Sequence, residues 1–455
     1  MPRIVQCHGC FDPLHIGHIR HFQAAKKAGD KLIVTVTADR FVNKGPGRPV
    51  FSEAIRMEAI QALACVDEVR LSGHPTAAES IREIRPAVFA KGPDYSEQTL
   101  DPGERQALAD VGAELVITET QKWSSTALLQ RPALSQEAEA YLARMRAQYS
   151  AADVKHWMDK ALALKVLVVG DAIRDEYVYC DTLGKSGKDP MLAAQFVRAE
   201  WFAGGVLAVD NHVVSMTGRH SLVRSGPTTV KRRFIERYPF QKLFEVYEMD
   251  ERAANEHTPD LLEVLPKELE RADLVIVADY GHGLLTPPVI ELITQKAKYL
   301  AVNTQANAGN HGFNTISKYP QADFISLSER EVRLDARDQQ SDVERLAVKA
   351  SRTHGARVLV TRGEKGCIGV SVDDYAVAPV EHSSSAPALT THAVDRTGAG
   401  DAVFAVTACL ASVGMPLDLL TFMASVVGTQ AVGIVGNARY IERESLVASV
   451  ETWLS

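Results

Sequence analysis

Short apolar runs alternating with helix-like stretches restrict this chain's fold more than any other feature of its sequence. Ile4–His8, Lys31–Thr37, Glu68–Leu71, Ala87–Ala90 and Glu114–Thr118 read as strands, with helical candidates near 17–28, 52–63, 77–84 and 104–111. Strands apolar on both faces and joined through helices must lie parallel, since parallel strands cannot be linked by tight turns. From 135 to 160 the residues are mostly Ala, Glu, Gln, Lys and Arg with no glycine, and read as a helical linker. A new buried strand starts at Lys165–Asp171. The rhythm resumes at Ala272–Ala278, Tyr299–Asn303, Asp323–Leu327 and Arg357–Thr361, and ends in an apolar helical region after Asp401. The pattern predicts an α/β protein of two doubly wound parallel-sheet domains, residues 1–134 and 161–455.

Composition narrows the function. With 46% hydrophobic and 24% charged residues, the 455-residue chain has enough apolar mass for packed cores and is not disordered. The most apolar stretch, Ala402–Met415, is shorter than the roughly 18 residues a membrane span needs. The first residues run directly into a strand, so no cleavable signal is expected. A net charge of −7 gives no reason to expect a nucleic-acid partner, which clustered Lys and Arg would bind. Six scattered cysteines in so large a chain suggest no disulfide framework, and the chain reads as cytoplasmic.

Two stretches carry chemistry. The first strand opens into Gly9-Cys10-Phe11-Asp12-Pro13-Leu14-His15-Ile16-Gly17-His18 and then a helix. Two histidines at a helix start lie beside free backbone N–H groups and the positive end of the helix dipole, which attract anions. Gly17 allows close backbone approach. That suits a nucleoside triphosphate, with two imidazoles stabilising charge that develops on its α-phosphate. The Cys7-x-x-Cys10 pair has no second ligand pair at zinc-site spacing and is read as strand and loop. In position and residues this segment resembles the HIGH-motif nucleotidyltransferases, in particular glycerol-3-phosphate cytidylyltransferases and heptose-1-phosphate adenylyltransferases. The same order of motifs continues with Lys44 in a basic loop, Arg56-Met57, Lys91-Gly92-Pro93-Asp94-Tyr95 and Ser124-Ser125-Thr126. The resemblance implies catalytic roles for His15, His18, Lys44 and Lys91. It implies nucleotide contacts from Cys10, Phe11, Gly17, Arg56, Asp94, Ser124, Ser125 and Thr126.

The second stretch is Asp395-Arg396-Thr397-Gly398-Ala399-Gly400-Asp401, ahead of the apolar helix. Consecutive small residues entering a helix aim backbone N–H groups at one spot, an anion hole, and an aspartate just behind can take a proton from an attacking hydroxyl. This string is similar to the signature of ribokinase-like sugar kinases, and supporting elements follow in family order. The resemblance implies that Asp401, Gly398, Ala399 and Gly400 carry phosphoryl transfer. It places the sugar phosphate on Asp171, Asp175, Gly204, Gly205, Lys231 and Arg233, and the nucleotide on Thr361, Gly363 and Gly366. Asp279-Tyr280-Gly281-His282-Gly283 stands where related heptose kinases have Asp-Tyr and a glycine. The sequence departs from the family in three places, the first being that only 22 residues lie between Gly205 and Thr228, where the family carries about twice as many. The Asn that follows the diglycine is displaced to Asn211, and the family's Asn-x-x-Glu reads Ser328-Glu329-Arg330-Glu331, leaving Glu331 as the one candidate for tuning Mg²⁺.

The pairing resembles bifunctional heptose-7-phosphate kinase/heptose-1-phosphate adenylyltransferases with the domain order reversed. It implies Mg²⁺ and ATP in both halves, sugar phosphates as partners, and ADP-sugar as product. Ribokinase-like domains often dimerise through the sugar-lid region, so a homodimer is expected. A CTP-dependent polyol- or sugar-phosphate transferase, its kinase-like half altered in specificity or serving only to bind, is the alternative.

Overall fold

The computed structural model describes residues 2–42, 49–92, 100–118, 134–224, 229–237, 240–249, 258–373, 380–390 and 393–455. The chain forms two compact units, 1–131 and 132–455. In the first, strands β1 (Ile4–Gly9), β2 (Lys31–Thr37), β3 (Glu68–Ser72), β4 (Val88–Lys91) and β5 (Glu114–Ile117) make a five-stranded sheet in the order β3-β2-β1-β4-β5, with all pairs parallel. Four helices, Ile16–Lys26, Glu53–Gln61, Ala78–Ile84 and Pro102–Val111, connect the strands. The strand order reverses between β1 and β4, and the crevice of such a switch point lies at the strands' carboxyl ends. Gly9–His18 and Lys91 stand there.

The second unit is built on β6 (Lys165–Gly170), β9 (Arg219–Val223), β12 (Leu274–Asp279), β13 (Leu300–Thr304), β14 (Phe324–Ser328), β15 (Arg357–Thr361), β16 (Cys367–Asp373) and β17 (Val380–Ala386). They form an eight-stranded sheet in the order β17-β16-β15-β14-β13-β12-β6-β9, antiparallel only at its β15–β16 and β16–β17 pairs. The strand period of two places Val166 and Val168 in one core cluster and Leu167 and Val169 in the other, so both faces are covered. The helix Ala399–Ser412 is buried continuously from Asp401 to Ala411, which accounts for its apolar residues on every side.

Two features depart from the sequence reading. Residues 135–160 are not a linker. Helices Gln136–Gln148 and Ala151–Ala161 put Tyr141, Leu142, Met145, Val154 and Met158 into the core of the second unit, and Tyr149 donates to Asp418 at 2.5 Å. In addition, β7 (Ala172–Lys185), β8 (Leu192–Gly205), β10 (Thr229–Glu236) and β11 (Gln241–Glu248) form a separate four-stranded sheet, ordered β11-β10-β7-β8.

Candidate active sites

In the first unit His15 caps helix Ile16–Lys26, its Nδ1 accepting the Gly17 N–H at 3.1 Å. Its ring stacks on His18 with centroids 3.7 Å apart, and Phe11 meets His18 edge-on at 5.2 Å. Cap, stack and helix start together fix both imidazoles at the switch point. Asp12 is fully buried and accepts the Val50 and Phe51 N–H groups at 2.7 and 3.0 Å, which ties the loop after β1 to the start of helix Glu53–Gln61.

Arg56 was expected at the nucleotide, but its guanidinium is consumed within the fold. It donates to Cys10 O at 2.6 Å, Thr37 O at 2.9 Å, Phe51 O at 3.0 Å and Asp39 Oδ1 at 2.6 Å. It braces the loop that carries Cys10 and Phe11. Lys91 is also engaged: its ammonium lies 3.1 Å from the equally buried Glu104. Glu104, not singled out from sequence, follows from the rule that a buried charge needs a partner. Two further histidines are held neutral. Burial, then the charge of Lys91, lowers His8 to about 3 and His21 to about 4, and their Nδ1 atoms hydrogen-bond Thr35 and Thr118. Cys7 and Cys10 are in no disulfide, and no metal-holding cluster is found among the described residues. Lys44, Asp94, Ser124, Ser125 and Thr126 lie outside the described residues.

In the second unit Gly398 is the N-cap of helix Ala399–Ser412 at φ 78°, and no side chain caps it. A Cβ on Gly398 would lie 1.8 Å from Asn437 Oδ1, so only glycine fits. Ala399 and Gly400 line a cavity of about 300 Å³ together with Thr361, Gly363, Gly366 and the apolar Val403, Ala424 and Val432. The structure thus brings the expected nucleotide loop and the anion hole to one cavity.

Asp401 sits in the first turn of this helix with its Oδ1 accepting the Tyr280 hydroxyl at 2.6 Å. Burial raises it to about 7; Tyr280 and Lys231 pull it down, while Asp175 and Glu331 push it up. A carboxylate poised near neutrality beside an anion hole has the protonation a general base requires.

The expected sugar ligands are arranged differently. Asp171 accepts the N–H groups of Tyr280, His282 and Leu284 at 2.9, 3.2 and 3.2 Å, so it shapes the 280–284 turn. Burial and the nearby Asp279 raise it to about 6. Asp175 pairs with Arg233, which also reaches Glu245 at 3.2 Å. Gly204 and Gly205 let β8 run against β7; a Cβ on either would come within 2.4 Å of Asp175 Oδ2 or Asp171 O. Lys231 is buried, its ammonium 5.2 and 5.6 Å from the Tyr247 and Tyr280 ring centres, and its pKa is lowered mainly by desolvation. Glu331, the Mg²⁺ candidate, spends both oxygens on backbone, accepting Ser328 N–H at 2.7 Å and Ala306 N–H at 3.0 Å. It is the reciprocal partner of a capping box.

Sequence reasoning passed over Tyr177, Lys242 and Asp395 as a group. Buried Asp395 accepts from Tyr177 Oη at 2.7 Å, Lys242 Nζ at 2.6 Å, Thr397 N at 3.0 Å and Gly436 N at 2.8 Å. Burial would raise it, and these donors outweigh burial and hold it below the usual range. The four-stranded sheet, through Tyr177 and Lys242, is therefore bonded to the loop that leads into helix Ala399–Ser412.

Residues 7–170 match the family model Cytidylyltransferase-like, and residues 246–441 match pfkB family carbohydrate kinase. The two matches fall on successive, non-overlapping parts of the chain, which is thus similar to two families. The first match runs past the end of the first compact unit into the helices and first strand of the second. Similar curated proteins are each named Bifunctional protein HldE. That of Methylobacillus flagellatus is 45% identical over 103 residues, 22% of this chain and 21% of its own length. That of Streptomyces coelicolor is 42% identical over 133 residues, 29% of this chain and 28% of its own. The chain thus spans under a third of the curated relatives it matches. A ribokinase from Thermotoga maritima aligns over 63% of this chain and 99% of its own, at 18% identity and a TM-score of 0.49. No described helix is long and apolar enough to cross a membrane.

Proposed function

We propose that the chain is a bifunctional cytoplasmic enzyme of nucleotide-activated sugar synthesis. Its second unit phosphorylates a heptose 7-phosphate-like sugar phosphate, and its first transfers a nucleotidyl group from ATP to a sugar 1-phosphate, giving an ADP-heptose-like product. The observation that carries the reading is Asp401, buried and poised near neutrality directly behind an uncapped, glycine-entered helix start that opens on a cavity. In the kinase step the acceptor hydroxyl gives its proton to Asp401 and its oxygen attacks the γ-phosphorus. The bond to the β–γ bridging oxygen breaks, and ADP leaves. The backbone N–H groups of Gly398–Gly400 stabilise the charge in transfer. Mg²⁺ enters with ATP as part of the substrate. In the transferase step a sugar-phosphate oxygen attacks the α-phosphorus, the α–β bridge breaks and pyrophosphate leaves, with His15 and His18 stabilising the transient charge. Lys231 stands near Asp401 as the cation for the acceptor's own phosphate.

The pairing of a cytidylyltransferase-like with a pfkB kinase domain, and relatives named as a bifunctional protein, support this reading. The family model's description favours a second one, CTP in place of ATP at His15 and His18. A kinase-like half that only binds has no use for a buried base such as Asp401. The test is a mass-resolved product assay with Mg-ATP against heptose 7-phosphate and heptose 1-phosphate separately, with CTP as a parallel donor. A bisphosphate from the first and an ADP-sugar from the second are expected. Nucleotidyl transfer with CTP alone, or no phosphorylation of any sugar phosphate, overturns the corresponding half. A homodimer through the four-stranded sheet completes the proposal.

A further inference from the structure

The proposed base is not held by its own helix alone. Asp401 and Tyr280 are both buried, and Tyr280 Oη donates to Asp401 Oδ1 at 2.6 Å. Tyr280 is in turn fixed from behind. Its backbone N–H is bound by Asp171 Oδ2 at 2.9 Å, and the same carboxylate takes His282 N–H and Leu284 N–H, so the whole turn after β12 is gathered onto one side chain. Asn307 and Asn310 add a second brace, each donating its amide to Tyr280 O, at 2.8 and 2.9 Å. A phenol pinned through its own N–H and C=O, with its hydroxyl on one oxygen of a buried carboxylate, has little freedom to do anything else.

We propose that Tyr280 is a positioning residue for phosphoryl transfer: it occupies Oδ1 of Asp401, so that the acceptor's proton is delivered to Oδ2, and it keeps that carboxylate ionised. This rests on the kinase reading above and deepens it. Asp171 acts one step further back, as the clamp that places Tyr280, which is why its oxygens face backbone and not a sugar. The hydroxyl is needed because the other groups around Asp401 do not supply enough stabilisation of its charge. Asp175 on β7 and Glu331 on the helix Glu329–Ala336 repel it, Lys231 on β10 attracts it, and burial opposes ionisation. Removing a hydrogen bond from a buried carboxylate withdraws stabilisation from its charged form, which raises its proton affinity.

The test is the pH dependence of the kinase kcat in the full chain for wild type, Tyr280→Phe and Asp171→Asn, with nucleotidyl transfer by the first unit assayed in parallel. Wild type should lose phosphorylation as pH falls through about 7. Tyr280→Phe, which keeps the ring and removes only the hydroxyl, should move that acid limb up by roughly one to two pH units, the equivalent of one hydrogen bond to a charge. Its kcat on the high-pH plateau should fall less than at pH 7, and nucleotidyl transfer should be unchanged. Asp171→Asn should move the limb in the same direction by less. A limb that stays in place in Tyr280→Phe while kcat drops equally at every pH overturns the positioning role and leaves the kinase reading intact. A wild type that phosphorylates no sugar phosphate overturns the kinase reading and this inference with it.

Discussion

At the level of single residues the two halves make separable predictions. Asp401→Asn removes the proton acceptor and keeps its shape, so phosphorylation should fall by about 10²–10⁴ while pyrophosphate release by the other unit is untouched. Loss of both activities together would mean that the two sites are one. His18→Ala should slow pyrophosphate release alone, by about 10²–10³. Gly398→Ala tests the anion hole. Its Cβ would displace Asn437, whose amide donates to Ala203 O on β8 at 2.8 Å, and φ 78° is strained for alanine. Kinase turnover should collapse, and Asn437→Ala added to it should restore only part. Residues of this kind were legible as motifs, since small residues ahead of an apolar helix and paired histidines at a helix start signal their chemistry locally. The partners they use were not. Arg56 and Asp171 carry the charge a ligand would need, and only the folded chain shows that carbonyls and N–H groups distant in sequence have already claimed it.

Among the elements, the strands that were plain in the sequence are those buried on both faces, such as Lys165–Gly170 and Leu274–Asp279, because uninterrupted Val, Ile and Leu leave no other reading. The β11-β10-β7-β8 sheet was hidden for the opposite reason. Its strands alternate charged and apolar residues, with Tyr177 and Tyr179 turned inward and Phe234, Phe244, Val246 and Trp201 outward, which blurs the pattern. The stretch 136–161 is legible as helical but not as part of the second unit's core, because its polar outer faces mask the stripe that enters it. The outward face of the sheet is unusual for a solvated surface. Phe234 and Phe244 stack at 4.5 Å, and Phe244 and Trp201 remain 55% and 43% exposed. A second copy of the chain packing here would cover them. Sedimentation of the wild type should give a dimer, and Phe244→Asp together with Trp201→Glu should give monomers with nucleotidyl transfer unaltered. Wild-type monomer at micromolar concentration would exclude this interface.

Taken as a whole molecule, the two units differ in how their buried charges respond to acid. In the first, His8 and His21 are neutral at about 3 and 4, so the unfolded chain, whose histidines titrate near 6.5, binds protons first. Stability that is full above pH 7 is therefore lost as pH falls below about 6.5, by roughly 3–4 kcal/mol for the two at pH 5. The second unit also holds His212 and His282 neutral, each at about 4, and loses stability the same way. It differs in containing Asp401 and Asp171, raised to about 7 and 6, which take up protons in the folded state before the unfolded one and so gain stability over the same interval. The two effects are of similar size, about 3–4 kcal/mol in opposite directions, and nearly cancel. Calorimetry of the full chain at pH 7 and pH 5, with each transition assigned to its residues by pulsed hydrogen exchange, should show the first unit's melting temperature falling by several degrees more than the second's. Asp401→Asn removes one of the two compensating carboxylates, so the second unit's transition should then fall on acidification as well, toward the slope of the first. Equally small shifts of both transitions in the wild type would mean that His8 and His21 are charged in the folded protein, and equally large ones that Asp401 and Asp171 do not compensate in the second unit.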